Sequence, residues 1–241
     1  MALFSLKTLR NICLLWLLCL AMQRYLNWKS YSIVAKDFKV MTTKLAVGSG
    51  ETSIPTTVAK LEKSLRRDYG DKLSDKIEWL PLSAGGLNLR VLFLYADWTE
   101  YIAVFASATK TVGNSGMHWV NSTCTVLSGN VSRVPHVSDT ATSSLIKQGE
   151  IFRHGQFDRS TYELSENAVV ACYGRGFMPA SSLWIVSGSL ANGDPWPAMK
   201  LLYAYSKMAV TNMALPVVAH YRQVEDWFKN MAKEKWTKAE L

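Results

Sequence analysis

The 241 residues carry 27 Lys and Arg against 19 Asp and Glu, a formal net charge of +8, and 49% of them are hydrophobic. That length fits one sizeable domain with appendages and allows a large core. The basic balance suits an anionic partner, but no helix-turn-helix, RNP or zinc-finger pattern is present, so membrane lipid is the expected partner and nucleic acid is not. The four cysteines, at 13, 19, 124 and 172, form no Cys-x-x-Cys pair and no metal spacing with the four histidines. Neither a disulfide scaffold nor a metal or other cofactor is therefore expected.

Residues 1–36 hold no acidic side chain, and Lys7 and Arg10 precede an apolar run over 12–22 that Gln23 and Arg24 close. The run falls short of the ~20 residues of a full span, so the expected element is an uncleaved anchor helix over 11–28, extended by the interfacial Tyr25, Leu26 and Trp28. Its charge pattern does not separate the mitochondrial inner membrane from the endoplasmic reticulum. Residues 44–53 read as a linker, after which Ser53 or Thr52 caps a helix over 56–67. The apolar positions 58, 61 and 65 of that helix pack on the domain behind it.

Seven short alternating runs, at 77–80, 87–95, 99–105, 118–127, 145–152, 162–173 and 183–186, are separated by turn residues and predict an antiparallel sandwich or small barrel. Asn121 and Asn130 head formal glycosylation sequons, but the first falls inside a predicted core strand, where a glycan has no room. Residues 196–218 are mostly Met, Leu, Tyr and Ala, punctuated by Lys200 and Lys207, and predict a helix lying in the membrane interface or against another membrane protein. The tail 221–241, with Val224, Trp227, Phe228 and Met231 at helical spacing, predicts an added amphipathic helix, which suggests either an added protein subunit as partner or a frayed surface helix. The expected organisation is an anchor over 1–40, a helix and β unit over 41–194, and C-terminal helices over 195–241.

Two stretches hold the chemistry. Residues 169–172 are an apolar run ending in Cys172, followed by Tyr173-Gly-Arg-Gly and Pro179, and Cys124 sits in a similar strand. Ser83, Gly85, Gly86, Glu100, Tyr101, Phe105, Asn114, Gly116, Trp119, Ser128, Gly129, Gly149, Glu150, His154, Gly155, the run at 173–176 and Pro179 follow one another in an order that resembles the family of the fungal sterol C8-isomerase and the sigma-1 receptor. The resemblance spans about residues 81–179. It implies a mainly β fold with flanking helices: a cupin-like antiparallel β-barrel, an N-terminal membrane anchor and C-terminal membrane-associated helices. It leaves room for a homotrimer, and it implies a pocket bordered by Leu87, Tyr101, Phe105, Cys124, His154, Leu164, Cys172 and Tyr173. In that family two carboxylates face each other inside the barrel, and at the matching positions this chain has Cys124 and Cys172.

That exchange removes the family's chemistry. Shifting a sterol double bond needs an acid to protonate the alkene and a base opposite the resulting cation, and a neutral buried thiol is neither. Binding a cationic amine also needs a counter-ion. The two cysteines are expected as buried, reduced neighbours facing each other across the barrel rather than as a disulfide. Glu100, Asp158, Glu163 and Glu166 are the alternative acids, and strand alternation sends Glu100 outward into solvent. His154 and Arg175 read as structural groups. The expected function is a non-catalytic accessory or structural subunit of a membrane protein assembly. The alternatives are a module binding a neutral lipid or sterol, or an active Δ8-Δ7 isomerase with relocated acids.

Overall fold

The computed structural model describes residues 6–47, 54–73, 77–136 and 143–239. The capping residues Thr52 and Ser53 lie outside them. Among the described residues, ten strands follow three helices. The helices are α1 (Leu6–Trp28), α2 (Ala35–Val47) and α3 (Ile54–Tyr69). The strands are β1 (Trp79–Ala84), β2 (Leu87–Ala96), β3 (Glu100–Ala106), β4 (Thr111–Asn114), β5 (Val120–Ser128), β6 (Val131–Pro135), β7 (Ser144–Ile146), β8 (Ile151–His154), β9 (Ser160–Leu164) and β10 (Val169–Gly176). Two helices close the chain, α4 (Met178–Ala191) and α5 (Trp196–Ala239).

The strands form a six-stranded antiparallel sheet in the order β1-β2-β3-β10-β5-β8 and a four-stranded one in the order β4-β9-β6-β7. Side chains alternate across each strand, so the larger sheet has two faces. Its inner face meets the smaller sheet in a cluster of Leu87, Cys124, Val126, Val131, Ile146, Tyr162, Leu164, Val170 and Cys172, and meets α4 and α5 through Leu82, Val91, Phe93, Ala103 and Leu201. Its outer face is buried too. Leu92, Leu94, Ile102, Val104, Ala171 and Tyr173 pack there against Phe38 of α2 and Val58, Leu61 and Leu65 of α3. A sheet covered on both faces has to be apolar at consecutive positions, which accounts for the unbroken run at 169–172.

Three sequence expectations need correction. Residues 183–186 belong to α4 and are helical, because Pro179 at the helix start and the following Ala and Ser residues favour a turn of helix over a strand. The runs at 145–152 and 162–173 each divide into two strands of different sheets, since Gly149 at φ 85° and Asn167 at φ 54° turn the chain. Helix α2, which takes in residues 44–47 of the expected linker, was not visible in the sequence because its buried stripe of Phe38, Thr42 and Ala46 holds one large apolar side chain, one polar residue and one small one. The predicted helix over 56–67 is present as α3, with Val58, Leu61 and Leu65 inward, and the helix over 196–218 runs on through residue 239 as one element.

Candidate functional site

The inner face of the larger sheet and the helices α4 and α5 enclose a cavity of about 400 Å³. Leu82 and Val91 from β1 and β2, Phe93, Tyr101 and Phe105 line its sheet side, and Met178, Trp184, Ile185, Leu201 and Tyr205 line its helix side. Tyr101 reaches it because β10 has Gly174 opposite: a Cβ at 174 would run into the Tyr101 ring. This glycine therefore provides room for an aromatic side chain. Gly116 does the same for the Trp184 ring, and at φ 73° it also occupies a backbone region that favours glycine.

The polar groups at the cavity are few and uncharged. Tyr101 Oη and Ser122 Oγ share a hydrogen bond of 3.0 Å, and His118 Nε2 donates to the Ser115 carbonyl at 2.6 Å. His154 lies opposite Ser122 in the β5/β8 register and 6.0 Å, ring to ring, from His118. Its Nδ1 bonds Tyr162 Oη at 3.1 Å, while its buried Nε2 has no hydrogen-bond partner among the described residues. Burial lowers the pKa of His118, and burial followed by the His118 and Arg133 charges brings His154 to about 4. Both imidazoles are neutral at pH 7. Burial raises the Tyr101 phenol against the opposing effect of the Ser122 hydrogen bond. Among the described residues no carboxylate and no ammonium lines the cavity.

The predicted site residues divide among four places. Tyr101 and Phe105 line the cavity. Leu87, Cys124, Leu164 and Cys172 lie in the packed interior between the two sheets, where Tyr101, Phe105 and Trp184 abut their cluster, and His154 flanks the cavity through Ser122 and His118. Tyr173 is on the other face. Its ring lies 5.9 Å from that of Phe38, and its hydroxyl donates to the Ile33 carbonyl at 2.9 Å, because odd positions of β10 face α2. Ser122 could have been found from the strand period, two residues from Cys124 on the same face. His118, Trp184, Leu201 and Tyr205 could not, since they come from a loop and from helices that only the fold brings to the sheet.

Cys124 and Cys172 are neighbours, but on adjacent strands rather than across the interior, and they are joined. They face each other in the β5/β10 register with Cα atoms 4.1 Å apart and form a disulfide, which corrects the expectation of reduced thiols. Directly opposed positions of an antiparallel pair bring short side chains into bonding range, whereas the sequence showed only that both are buried. Cys13 and Cys19 are free.

Glu100 also departs from expectation. It does point away from Tyr101, but its outer face is covered, and the residue is 0% exposed. Its carboxylate accepts hydrogen bonds from the backbone N–H of Ser32 at 2.8 Å and of Ile33 at 3.4 Å, and from Tyr173 Oη at 3.1 Å. It thus ties the segment after α1 to the sheet. Asp158 accepts from the Gly155 N–H at 2.8 Å, and Glu163 pairs with Lys110 at 2.6 Å. Neither these acids nor Glu166 border the cavity.

The ERG2 and Sigma1 receptor like protein family matches residues 10–216. The sigma non-opioid intracellular receptor 1 of Taricha granulosa is 28% identical over 185 residues, 75% of this chain and 81% of the relative. That of Danio rerio is 26% identical over 177 residues, 72% and 78%. The C-8 sterol isomerase erg2 of Aspergillus fumigatus is 25% identical over 122 residues, 51% of this chain and 49% of the relative. Among solved structures, an RmlC-like cupin from Shewanella frigidimarina superposes with a TM-score of 0.36 at 10% identity, covering 44% of this chain and 95% of the cupin.

Proposed function

This chain belongs to the ERG2 and Sigma1 receptor like family, and from that premise we propose that it is a non-catalytic, membrane-anchored member whose barrel cavity holds an uncharged apolar ligand such as a neutral lipid or sterol. The observation that carries this reading is the cavity's lining, mainly aromatic and aliphatic, whose hydroxyl and imidazole groups, on Tyr101, Tyr205, Ser122, Ser181, Ser182, Ser206 and His118, are all uncharged. A sterol isomerase has to protonate an alkene and stabilise a carbocation, which requires a strong acid and an anion at the reacting carbon. Phenols with raised pKa, alcohols and two neutral imidazoles provide neither. The positions that the resemblance assigns to the family's acids hold a disulfide, which neither gives nor takes a proton. A cationic amine entering this cavity gives up its hydration without meeting a carboxylate, at a cost of several kcal/mol.

Membrane attachment is supported by α1, of which Lys7–Trp28 is long and apolar enough to cross a bilayer and projects with Trp16, Trp28 and every Leu but Leu26 exposed. We place it in an intracellular membrane, the endoplasmic reticulum; nothing in the comparisons supports the mitochondrial option. A second reading, an accessory subunit of a membrane protein assembly, is favoured by the exposed Leu183, Leu190, Met199, Tyr203 and Val210 along α4 and α5.

Lipid extracted from protein purified in mild detergent, identified by mass spectrometry, tests the first reading. A stoichiometric neutral lipid or sterol is expected, together with failure to restore C8 isomerisation in cells lacking that enzyme. Restored isomerisation, or submicromolar binding of a cationic amphiphile, overturns it. Purification only as part of a larger complex with an empty barrel favours the second reading.

A further inference from the structure

The end of α1 is fastened to one rim of the barrel. Gln23 Oε1 accepts hydrogen bonds from Trp119 Nε1 at 2.8 Å and from Gln156 Nε2 at 3.0 Å, and Lys29 pairs with Asp97 at 2.9 Å and bonds Thr99. Arg175 lies 5.2 Å over the Tyr31 ring. The apolar run of α1 ends at residue 22, one position before Gln23. At ~1.5 Å per residue, a bilayer that takes up residues 7–22 has its headgroup layer at the height of these contacts.

The same rim is aromatic. Trp119 is 5.9 Å from Phe157 and 5.6 Å from Phe177, ring to ring. Trp28, Trp98 and Phe157 are exposed, although a water-facing turn gains nothing from such residues. Phe157 is held at φ 63°, a region that bulky side chains rarely adopt, with its N–H donating to the His118 carbonyl at 2.8 Å. A glycine or asparagine would turn the chain there without strain, so turn formation alone does not account for the phenyl ring.

We propose that this rim is a second membrane contact: Phe157, Trp98 and Trp28, carried on three separate segments, sit in the headgroup layer of the bilayer that takes up α1. Tryptophan and phenylalanine at this depth find an apolar region beside a wet one, and Arg24 and Arg175 are at hand for lipid phosphates. Trp98, His118, Val120 and Met178, which line the cavity, come from the same rim, through the Met178 N–H bonded to the Trp98 carbonyl and the Phe177 N–H bonded to the Trp119 carbonyl. The contact therefore brings this part of the cavity wall close to lipid. The proposal rests on the reading of α1 as an anchor, and its test separates the two.

Full-length protein in phosphatidylcholine/phosphatidylserine nanodiscs is spin-labelled at one cysteine, and the relaxation effects of oxygen and of a nickel chelate are compared. With Cys13→Ala, the label on Cys19 reports the anchor; with Cys13→Ala and Cys19→Ala, labels on Phe157→Cys or, free of any backbone strain, Trp98→Cys report the rim; Lys110→Cys reports water. The oxygen-to-nickel ratio is expected highest at 19, intermediate at 157 and 98, and several-fold lower at 110. Ratios at 157 and 98 equal to that at 110, with 19 in lipid, overturn the rim contact and leave the anchor intact. A Cys19 label in water overturns both. Rim labels shielded from both reagents point to a protein covering the rim and overturn the lipid assignment.

Discussion

Replacing Glu100 with alanine tests how the anchor end of the chain is held to the barrel. The carboxylate, itself 0% exposed, accepts hydrogen bonds from Ser32 N–H, Ile33 N–H and Tyr173 Oη. Removing it strands the buried Ile33 N–H, at about 1 to 3 kcal/mol, and forfeits the other two bonds at about 1 kcal/mol each, since Tyr173 keeps the Ile33 carbonyl and Ser32 is exposed to water. Relief of the buried carboxylate's own desolvation offsets part of that sum. A net loss of about 2 kcal/mol is expected, a sizeable fraction of the ~5–15 kcal/mol that stabilises a domain. For a chain of this size that lowers Tm by about 4–8 °C. Glu100→Gln keeps one carbonyl acceptor and should lose about half as much. Thermal unfolding in detergent gives the magnitude, and hydrogen exchange at 32 and 33 gives the location, since these amides should lose protection first. An alanine variant melting within about 2 °C of the parent would refute the clasp and would mean that apolar packing of Phe38 and Ile33 alone holds this segment.

Reducing the Cys124–Cys172 bond, which spans 48 residues of sequence, should cost about 4 kcal/mol on the loop-entropy estimate, read as a lower denaturant midpoint with reductant; an unchanged midpoint refutes a closed bond. His154 titrates near 4 in the folded protein against an ordinary value of 6.5, so below 6.5 the unfolded state takes up the proton first. Stability is then full above pH 6.5 and is lost as pH falls toward 4, by up to about 3 kcal/mol, and His154→Gln should flatten that slope in denaturant titrations at pH 7, 5.5 and 4.5. Gly174→Ala should push the Tyr101 ring out of its place and abolish ligand retention while wild-type protein keeps its lipid; co-purified ligand in the variant would show the cavity is not the site. Phe157→Gly relieves the positive φ and should raise stability in detergent by about 1 kcal/mol while lowering affinity for vesicles; an unchanged vesicle affinity counts against the rim contact.

The sequence by itself determined what depends on nearest neighbours along the chain. Alternation marked β2, β3 and β5, the 58, 61, 65 spacing marked α3, and the acid-free apolar run marked α1, because each of these patterns records which side of one element meets water. The order of Tyr101, Trp119, His154 and the glycines around Arg175 was also enough to indicate the family. What only the tertiary structure decided depends on what covers an element. Strand period correctly put Glu100 and Tyr101 on opposite faces, but α2, α3 and the segment at 29–34 bury the outer face, so the face called solvent holds a buried carboxylate instead. Burial of two cysteines was legible, whereas the register that sets residues 124 and 172 directly opposite, and thus bonds them, comes from strands 48 residues apart in sequence. Residues 183–186 read as a strand because a short apolar run has no period to distinguish it from a helix; Trp184 then reaches the cavity from α4. The cavity itself could not be read from any single stretch, since its walls are set by how one sheet and two helices pack.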